Sequence, residues 1–262
     1  MGMSMQNLKD KWCVVTGASS GLGLEFAKIV AEHGANLVLV ARREEPMNLL
    51  AAQLLERHGT KVVVVGADLG QADSAASLQQ GLEAQGIEAD ILINNAAFGL
   101  SGPFIQHDAA RLRSMLNLDI VAMTELTHVF AQRMAKRGHG HILLVASVAA
   151  YQPIPGMAGY GASKAFMLSL GHALNVELAP KVNVTVLSPG LMDTGFLAVA
   201  DFVPTPMTRL TMLAPKKVAR IGIEAMLAKK PSVVAGGVNK FLTFTSRFFS
   251  RHTQAKMAVS FQ

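Results

Sequence analysis

The sequence predicts an α/β fold, a doubly wound, mostly parallel sheet of about seven strands with helices on both faces. Three observations predict it. Short β-branched apolar runs recur along the chain, and uninterrupted runs of this length suit strands buried on both faces. Stretches of helical period fill the gaps between them, and such alternation produces crossover helices around a parallel sheet. No linker, low-complexity stretch or internal repeat divides the 262 residues, so a single domain over 1–262 is expected.

The elements follow in order. Strands are read at Cys13-Val14-Val15, Asn36 to Val40, Lys61 to Val65, Ile91 to Ile93, His141 to Val145, Val182 to Leu187 and Ser232 to Val234. The first helix runs from Leu22 to His33, with Leu22, Phe26, Ile29 and Val30 on its apolar stripe and Gly34 as its C-cap. Further helices are read at Pro46 to His58, Ala75 to Gln85, Ala109 to Lys136, Gly159 to Ala179 and Pro215 to Lys229.

Composition narrows the class. One cysteine leaves no disulfide framework and no cysteine-rich metal site, and makes a reducing, cytoplasmic setting the default. An apolar content of 50% excludes a disordered chain. The N-terminal stretch lacks the apolar core of a signal peptide. Gly2 is followed by Gln6 where a myristoylation signal needs Ser or Thr. No run of apolar residues is long enough for a membrane-spanning helix.

The turn Thr16-Gly17-Ala18-Ser19-Ser20-Gly21-Leu22-Gly23 joins the first strand to the first helix. Glycines there permit a tight turn and a close backbone approach, and the helix N-terminus offers N–H groups and a positive dipole end to a pyrophosphate. With this spacing the chain resembles the short-chain dehydrogenase/reductase family, over roughly residues 8–235, which implies a Rossmann-type fold. The resemblance implies cofactor contacts at Gly17, Ser19, Ser20, Gly21, Leu22 and Gly23. The second strand ends at Ala41, where an acidic side chain would bind a free ribose and repel a 2′-phosphate, and Arg42 and Arg43 follow. Guanidinium groups fork onto phosphate oxygens, and Arg42 matches a position that marks NADP-preferring members. NADPH is therefore expected over NADH.

The resemblance also implies an adenine contact at Asp68-Leu69, although Asp68 by residue type alone is equally a helix N-cap. Asn94-Asn95-Ala96-Ala97 matches the cofactor motif after the fourth strand, with Asn94 and Ala96 as contacts and Ala97 where the family has Gly. Pro189, Gly190, Leu191 and Thr194 match the loop that caps the nicotinamide.

Catalysis is read from Tyr160-Gly161-Ala162-Ser163-Lys164. Residues four apart share one helix face, so Lys164 can lie beneath the Tyr160 phenol. A free phenol titrates near 10, and the ammonium, with the positive charge of an oxidised nicotinamide, is expected to lower that value. Tyr160 would then be general acid in carbonyl reduction and base in alcohol oxidation. By resemblance, Lys164 also holds ribose hydroxyls and Ser147, thirteen residues before Tyr160, steadies the substrate oxygen. Asn117 matches the helix asparagine that holds a water joining the lysine to solvent. No metal is expected. His139 and His141 have no carboxylate or cysteine beside them in sequence, Cys13 reads as core, and Trp12 is expected at the sheet's edge.

Residues 192–215 match the family's substrate lid. Phe196, Leu197, Val199, Phe202, Val203, Met207, Leu210, Met212 and Leu213, punctuated by Pro204 and Pro206, point to an apolar substrate, and the resemblance of this region and the tail to the family's 3-oxoacyl reductase and hydroxysteroid dehydrogenase branches implies a small carbonyl or alcohol of 3-oxoacyl, steroid-like or aromatic type. A helix packing on its own core or on a subunit neighbour is the alternative. A homodimer or homotetramer is expected from the family.

The formal charge of +6 is uneven. Residues 1–206 carry a net −3 and residues 207–262 a net +9, Glu224 being the single acid of the second segment. Segment 240–262 is a basic aromatic tail, with Phe241, Phe244, Phe248, Phe249 and Phe261 among Arg247, Arg251, His252 and Lys256. It is compatible with peripheral contact of 241–262 with an anionic membrane, with a subunit interface, or with packing on the lid. No nucleic-acid-binding motif is found. An NADPH-dependent ketone or aldehyde reductase is the leading expectation. A non-catalytic nucleotide-binding scaffold is the alternative, with no use for the Ser147, Tyr160 and Lys164 set.

Overall fold

The computed structural model describes residues 8–202, 209 and 211–259. Each short apolar run becomes a strand: β1 (Trp12–Thr16), β2 (Asn36–Ala41), β3 (Val62–Gly66), β4 (Ala89–Asn94), β5 (Gly140–Val145), β6 (Val182–Ser188) and β7 (Ser232–Val234). They form one sheet in the order β3-β2-β1-β4-β5-β6-β7, with every pairing parallel.

The pleat sorts consecutive apolar residues to opposite faces. Cys13, Val15, Leu37, Leu39, Ile91 and Ile93 meet α1 (Gly21–Glu32), α2 (Glu44–His58) and the helix Pro215–Leu227. Val14, Val38, Val40, Leu92, Ile142 and Leu144 meet α3 (Ser74–Ala84), α5 (Met123–Arg137) and α6 (Ala158–Glu177). A strand that is apolar at every position has a helix to cover either side. Glu44 and Glu45 occupy the first turn of α2, where the dipole favours carboxylates, and so the helix begins before Pro46. Gly34 follows α1 with φ +83, and its N–H bonds the Ala31 carbonyl at 2.9 Å.

Three regions depart from the expected pattern. The single helix expected over Ala109–Lys136 is divided into α4 (Ala109–Leu116), a π-helical segment Asn117–Ala122, and α5. Trp12 lies at the N-terminal end of the central strand β1, so it packs at the rim of the sheet and not on an outer strand. Beyond Thr194 the chain forms α7 (Gly195–Val199), α8 (Pro215–Leu227), α9 (Gly237–Thr245) and α10 (Arg251–Val259). The expected lid residues Val203, Pro204, Pro206, Met207 and Leu210 lie outside the described residues, as do Gly2, Gln6 and Phe261.

Sheet order reverses between β1 and β4, and a crevice opens beyond the carboxyl ends of strands at such a switch point. Thr16 at the end of β1 and Asn94 at the end of β4 flank it. No helix among the described residues is long and apolar enough to cross a membrane.

Candidate active site

The glycine turn owes its shape to backbone geometry that side chains oppose. Gly17 and Gly21 adopt φ +67 and +57, the left-handed region that favours glycine. A side chain on Gly23 would fall on the Gly17 carbonyl and the Asn95 amide. Ser20 caps α1 without a side-chain bond to the helix. The turn is therefore a backbone concavity beside a helix N-terminus, with the Ser19 and Ser20 hydroxyls at its edge, a donor set that suits phosphate.

Thr16 ties this turn to β4. Its Oγ1 accepts from the Asn95 and Ala96 N–H groups, each at 2.9 Å, while its carbonyl accepts from Asn95 Nδ2 at 2.9 Å. The Asn94 amide is spent inside the fold: it donates to the Met123 carbonyl at 2.9 Å and to Thr127 Oγ1 at 3.2 Å. The side chain of Asn94 thus joins β4 to α5.

At the end of β2, Arg42 is exposed. Its neighbour Arg43 reaches the turn, with its guanidinium donating to Ser19 Oγ and Ser20 Oγ at 3.4 Å each. The sequence offers both guanidinium groups to phosphate and matches Arg42 to the family's position; only the folded loop shows that Arg43 is the one that bends toward the serines. Asp68 accepts from the Gly70 N–H at 3.1 Å and from Gln71 Nε2 at 3.4 Å. It caps a turn, not a helix; the cap of α3 is Asp73. Leu69 is buried against the sheet.

The loop after β6 faces the turn. A side chain on Gly21 would start 3.5 Å from the Thr194 Cβ, and a cleft of about 360 Å³ lies among Gly21, Leu24, Asp193, Thr194 and Pro215. Thr194 caps α7 by accepting from the Phe196 N–H. The loop is anchored at Pro189, whose carbonyl accepts from Val148 N–H at 2.8 Å, and at Leu191, whose carbonyl accepts from Leu213 N–H at 3.3 Å. Gly190 lies against Asn239 at the start of α9, leaving no room for a side chain.

Tyr160 and Lys164 lie one turn apart on α6, with the ammonium 5.5 Å from the phenol ring centre. Ser147 follows β5 and caps the short turn Val148–Ala150, its Oγ accepting from the Ala149 N–H at 3.1 Å, and it lies near enough to the phenol to favour its ionised form. The three side chains therefore meet. Tyr160 also packs in an apolar cluster with Leu100, Met115, Ala149 and Met157, and the Phe196 ring of α7 lies 5.4 Å from its own.

Asn117 opens the π segment and is exposed. The inward-facing group is Asp119, two residues on. Its Oδ2 lies 3.3 Å from Lys164 Nζ, with both side chains almost wholly buried. Asp119 also accepts from the Phe98 N–H at 3.1 Å and from Ser163 Oγ at 3.2 Å. The sequence carried a signal for it: a lone acid inside the apolar run Leu118-Asp119-Ile120 needs a partner once buried.

Burial raises the Asp119 carboxyl from its ordinary value, against the opposing pull of Lys164, the Phe98 N–H and Ser163. Burial likewise raises the Tyr160 phenol; the Ser147 hydrogen bond opposes this and the Asp119 charge adds to it. In the protein alone the phenol is raised, because desolvation penalises the phenolate and the Lys164 charge is met by a carboxylate; the lowering expected from the sequence includes the positive charge of an oxidised nicotinamide. Elsewhere, burial also raises the Cys13 thiol, so this cysteine is held as an unreactive thiol of the core. No cluster of three or more His, Cys, Asp or Glu side chains able to hold a metal occurs among the described residues.

A family model described as short chain dehydrogenase matches residues 11–201. The chain is 30% identical over 233 residues to the ketoacyl reductase HetN of a Nostoc species, which covers 88% of this chain and 80% of that one. Among solved structures it is similar to a short-chain dehydrogenase from Sphingobium yanoikuyae in complex with NADPH, with TM-score 0.80, 29% identity, and 91% and 93% of the two chains covered. It is also similar to a 7beta-hydroxysteroid dehydrogenase, with TM-score 0.87, 25% identity, and 98% and 99% covered.

Proposed function

The chain belongs to the short-chain dehydrogenase/reductase family, oxidoreductases of the alcohol–carbonyl couple, and on that premise we propose that it is an NADPH-dependent reductase of apolar ketones or aldehydes, with Tyr160 as proton donor. The observation that carries this reading is the buried Tyr160 side chain beside Ser147, with the Lys164 ammonium 5.5 Å from its ring centre. A phenol raised by burial is protonated at neutral pH, the form that donates to a carbonyl oxygen. When bound, the cofactor supplies the hydride. Ser147 hydrogen-bonds the substrate oxygen as negative charge develops there. Tyr160 transfers its proton to that oxygen, and Lys164 holds ribose hydroxyls, fixed by its ion pair with Asp119. Asn117, exposed at the start of the π segment, would hold a water that links Lys164 to solvent.

Preference for NADPH is supported by Ala41 in place of an acid, by exposed Arg42, and by Arg43 poised over Ser19 and Ser20; the Sphingobium relative was solved with that cofactor. Gly17, Gly21, Leu22 and Gly23 shape the pyrophosphate turn. Asp68, Leu69 and Ala96, with the backbone of Asn94 since its amide is spent on Met123 and Thr127, would hold the adenosine, and Pro189, Gly190, Leu191 and Thr194 the nicotinamide. The Phe196, Met157 and Leu100 surroundings of Tyr160 favour an apolar substrate of 3-oxoacyl, steroid-like or aromatic type, with 192–215 as its lid in a single catalytic domain. Exposed Val121, Phe166 and Val176 offer apolar surface to further copies in a cytoplasmic homo-oligomer.

The test is NADPH oxidation by purified protein against 3-oxoacyl, steroid and aromatic ketones, with Tyr160→Phe alongside. Turnover falling by a factor of about 1,000 in the variant is expected. Turnover near the parent rate would sink the assignment.

A further inference from the structure

Helix α9 is built inside out. Its inner face carries Asn239, Thr243 and, at its end, Ser246, all buried. Their polar groups are satisfied locally: Asn239 Nδ2 donates to the Ala235 carbonyl at 2.8 Å, Thr243 Oγ1 to the Asn239 carbonyl at 2.9 Å, and Ser246 Oγ to the Thr243 carbonyl at 2.9 Å. Gln254 of α10 continues this polar interior by donating to the Ser246 and Phe249 carbonyls. The outer face is apolar. Phe241 is 66% exposed, Phe244 54% and Phe248 72%, and Val238 and Leu242 complete the same stripe at helical spacing. A helix facing only water is expected the other way round, and a contiguous exposed apolar patch marks a contact surface.

Charge selects the occupant. Lys240, Arg247, Arg251 and Lys256 flank these rings and are exposed, and no acid follows Glu224 in the sequence. In an isologous contact the patch would meet itself, setting cations against cations with no carboxylate of its own to pair them. Rings this exposed stand out of the surface and do not line a groove for a peptide. Aromatic side chains framed by lysine and arginine match the interface of a bilayer rich in anionic lipid.

We propose that α9, the turn after it and α10 dock the protein on an anionic membrane surface. Asn239 on the inner face of α9 abuts Gly190, and a side chain on Gly236 would meet Leu213, so α9 is seated by its inner face on the loop after β6 and its ring-bearing face points outward. The membrane contact itself does not depend on the assignment of Tyr160, because its test requires no turnover.

The test is co-sedimentation of the full chain with vesicles of phosphatidylcholine alone and of phosphatidylcholine with a quarter phosphatidylglycerol. We expect at least about tenfold more protein bound to the anionic vesicles, with the excess lost at about 1 M salt. The triple variant Phe241→Ser, Phe244→Ser and Phe248→Ser, and the charge variant Arg247→Glu, Arg251→Glu and Lys256→Glu, should each reduce binding about tenfold at unchanged melting temperature. Equal binding to the two vesicle types, or none, overturns the proposal. So does an unaltered vesicle affinity in the triple variant accompanied, in light scattering, by conversion of a dimer to a monomer, which would assign the face to a second copy.

Discussion

Asp119 sets the electrostatics around the proposed acid. Its charge raises the Tyr160 phenol and pairs Lys164 at 3.3 Å. In Asp119→Asn the phenol loses a neighbouring negative charge, so its pKa falls and the protonated form gives way at lower pH. The alkaline limb of the reductase kcat/KM profile should move down by about one pH unit. An unmoved limb together with a merely lower melting temperature would reduce Asp119 to a structural role. Arg43 is the second residue to test. Its guanidinium lies over Ser19 and Ser20, and removing one charge-assisted phosphate contact in Arg43→Ala should raise KM for NADPH about tenfold and leave that for NADH nearly unchanged. Equal effects on both cofactors would remove Arg43 from the 2′-phosphate. Asp119 escaped the sequence reading, and Arg43 was read only as one of two arginines, for one cause: facing partners on other elements, 45 residues away for Asp119 and 24 for Arg43, gave them their roles.

At the scale of elements, strands and their order of appearance were legible because a parallel sheet buries both faces and leaves uniform apolar runs. The glycine turn was legible as well, since each glycine answers a local requirement. Gly23→Ala puts a methyl on the Gly17 carbonyl, which costs about 1–3 kcal/mol of overpacking. A lower melting temperature and weakened NADPH binding should appear together, by calorimetry and titration; normal binding would mean that the turn tolerates the shift. The π segment Asn117–Ala122 was not legible, because apolar spacing continues through Ala109–Lys136 without a glycine or proline to mark a break. What favours the widened turn is the inward position of Asp119 against Lys164, Ser163 and the Phe98 N–H. Helix α9 was missed because an inverted amphipathic pattern, short and followed by charge, carries no core-facing stripe.

Over the whole molecule, one part-buried histidine contributes to acid sensitivity. His141 of β5 is held down to about 4, chiefly by burial and then by the Lys229 charge, and its Nδ1 has no hydrogen-bond partner. In the unfolded chain the ring titrates near 6.5. Below that pH the unfolded state takes up a proton that the native state refuses until about 4, so stability falls as pH drops across this window, by about 3 kcal/mol at most. In His141→Leu the decline in melting temperature between those pH values should be visibly shallower; an identical slope would place the acid sensitivity elsewhere. The net charge also acquires a location at this scale. A body of net −3 carries the cleft, and the cationic excess lies in residues 207–262, part of it on the outer face of α9 and α10. The sequence by itself determined the seven-stranded parallel fold, the phosphate turn and the candidate set Ser147, Tyr160 and Lys164, because periodicity, glycine geometry and motif spacing are local properties of a chain. Tertiary structure alone decided that Asp119 meets Lys164, that Arg43 reaches the turn, that burial raises Tyr160, and that the Phe side chains of α9 face outward. Each of these depends on which groups the fold brings together and how much water it removes from between them.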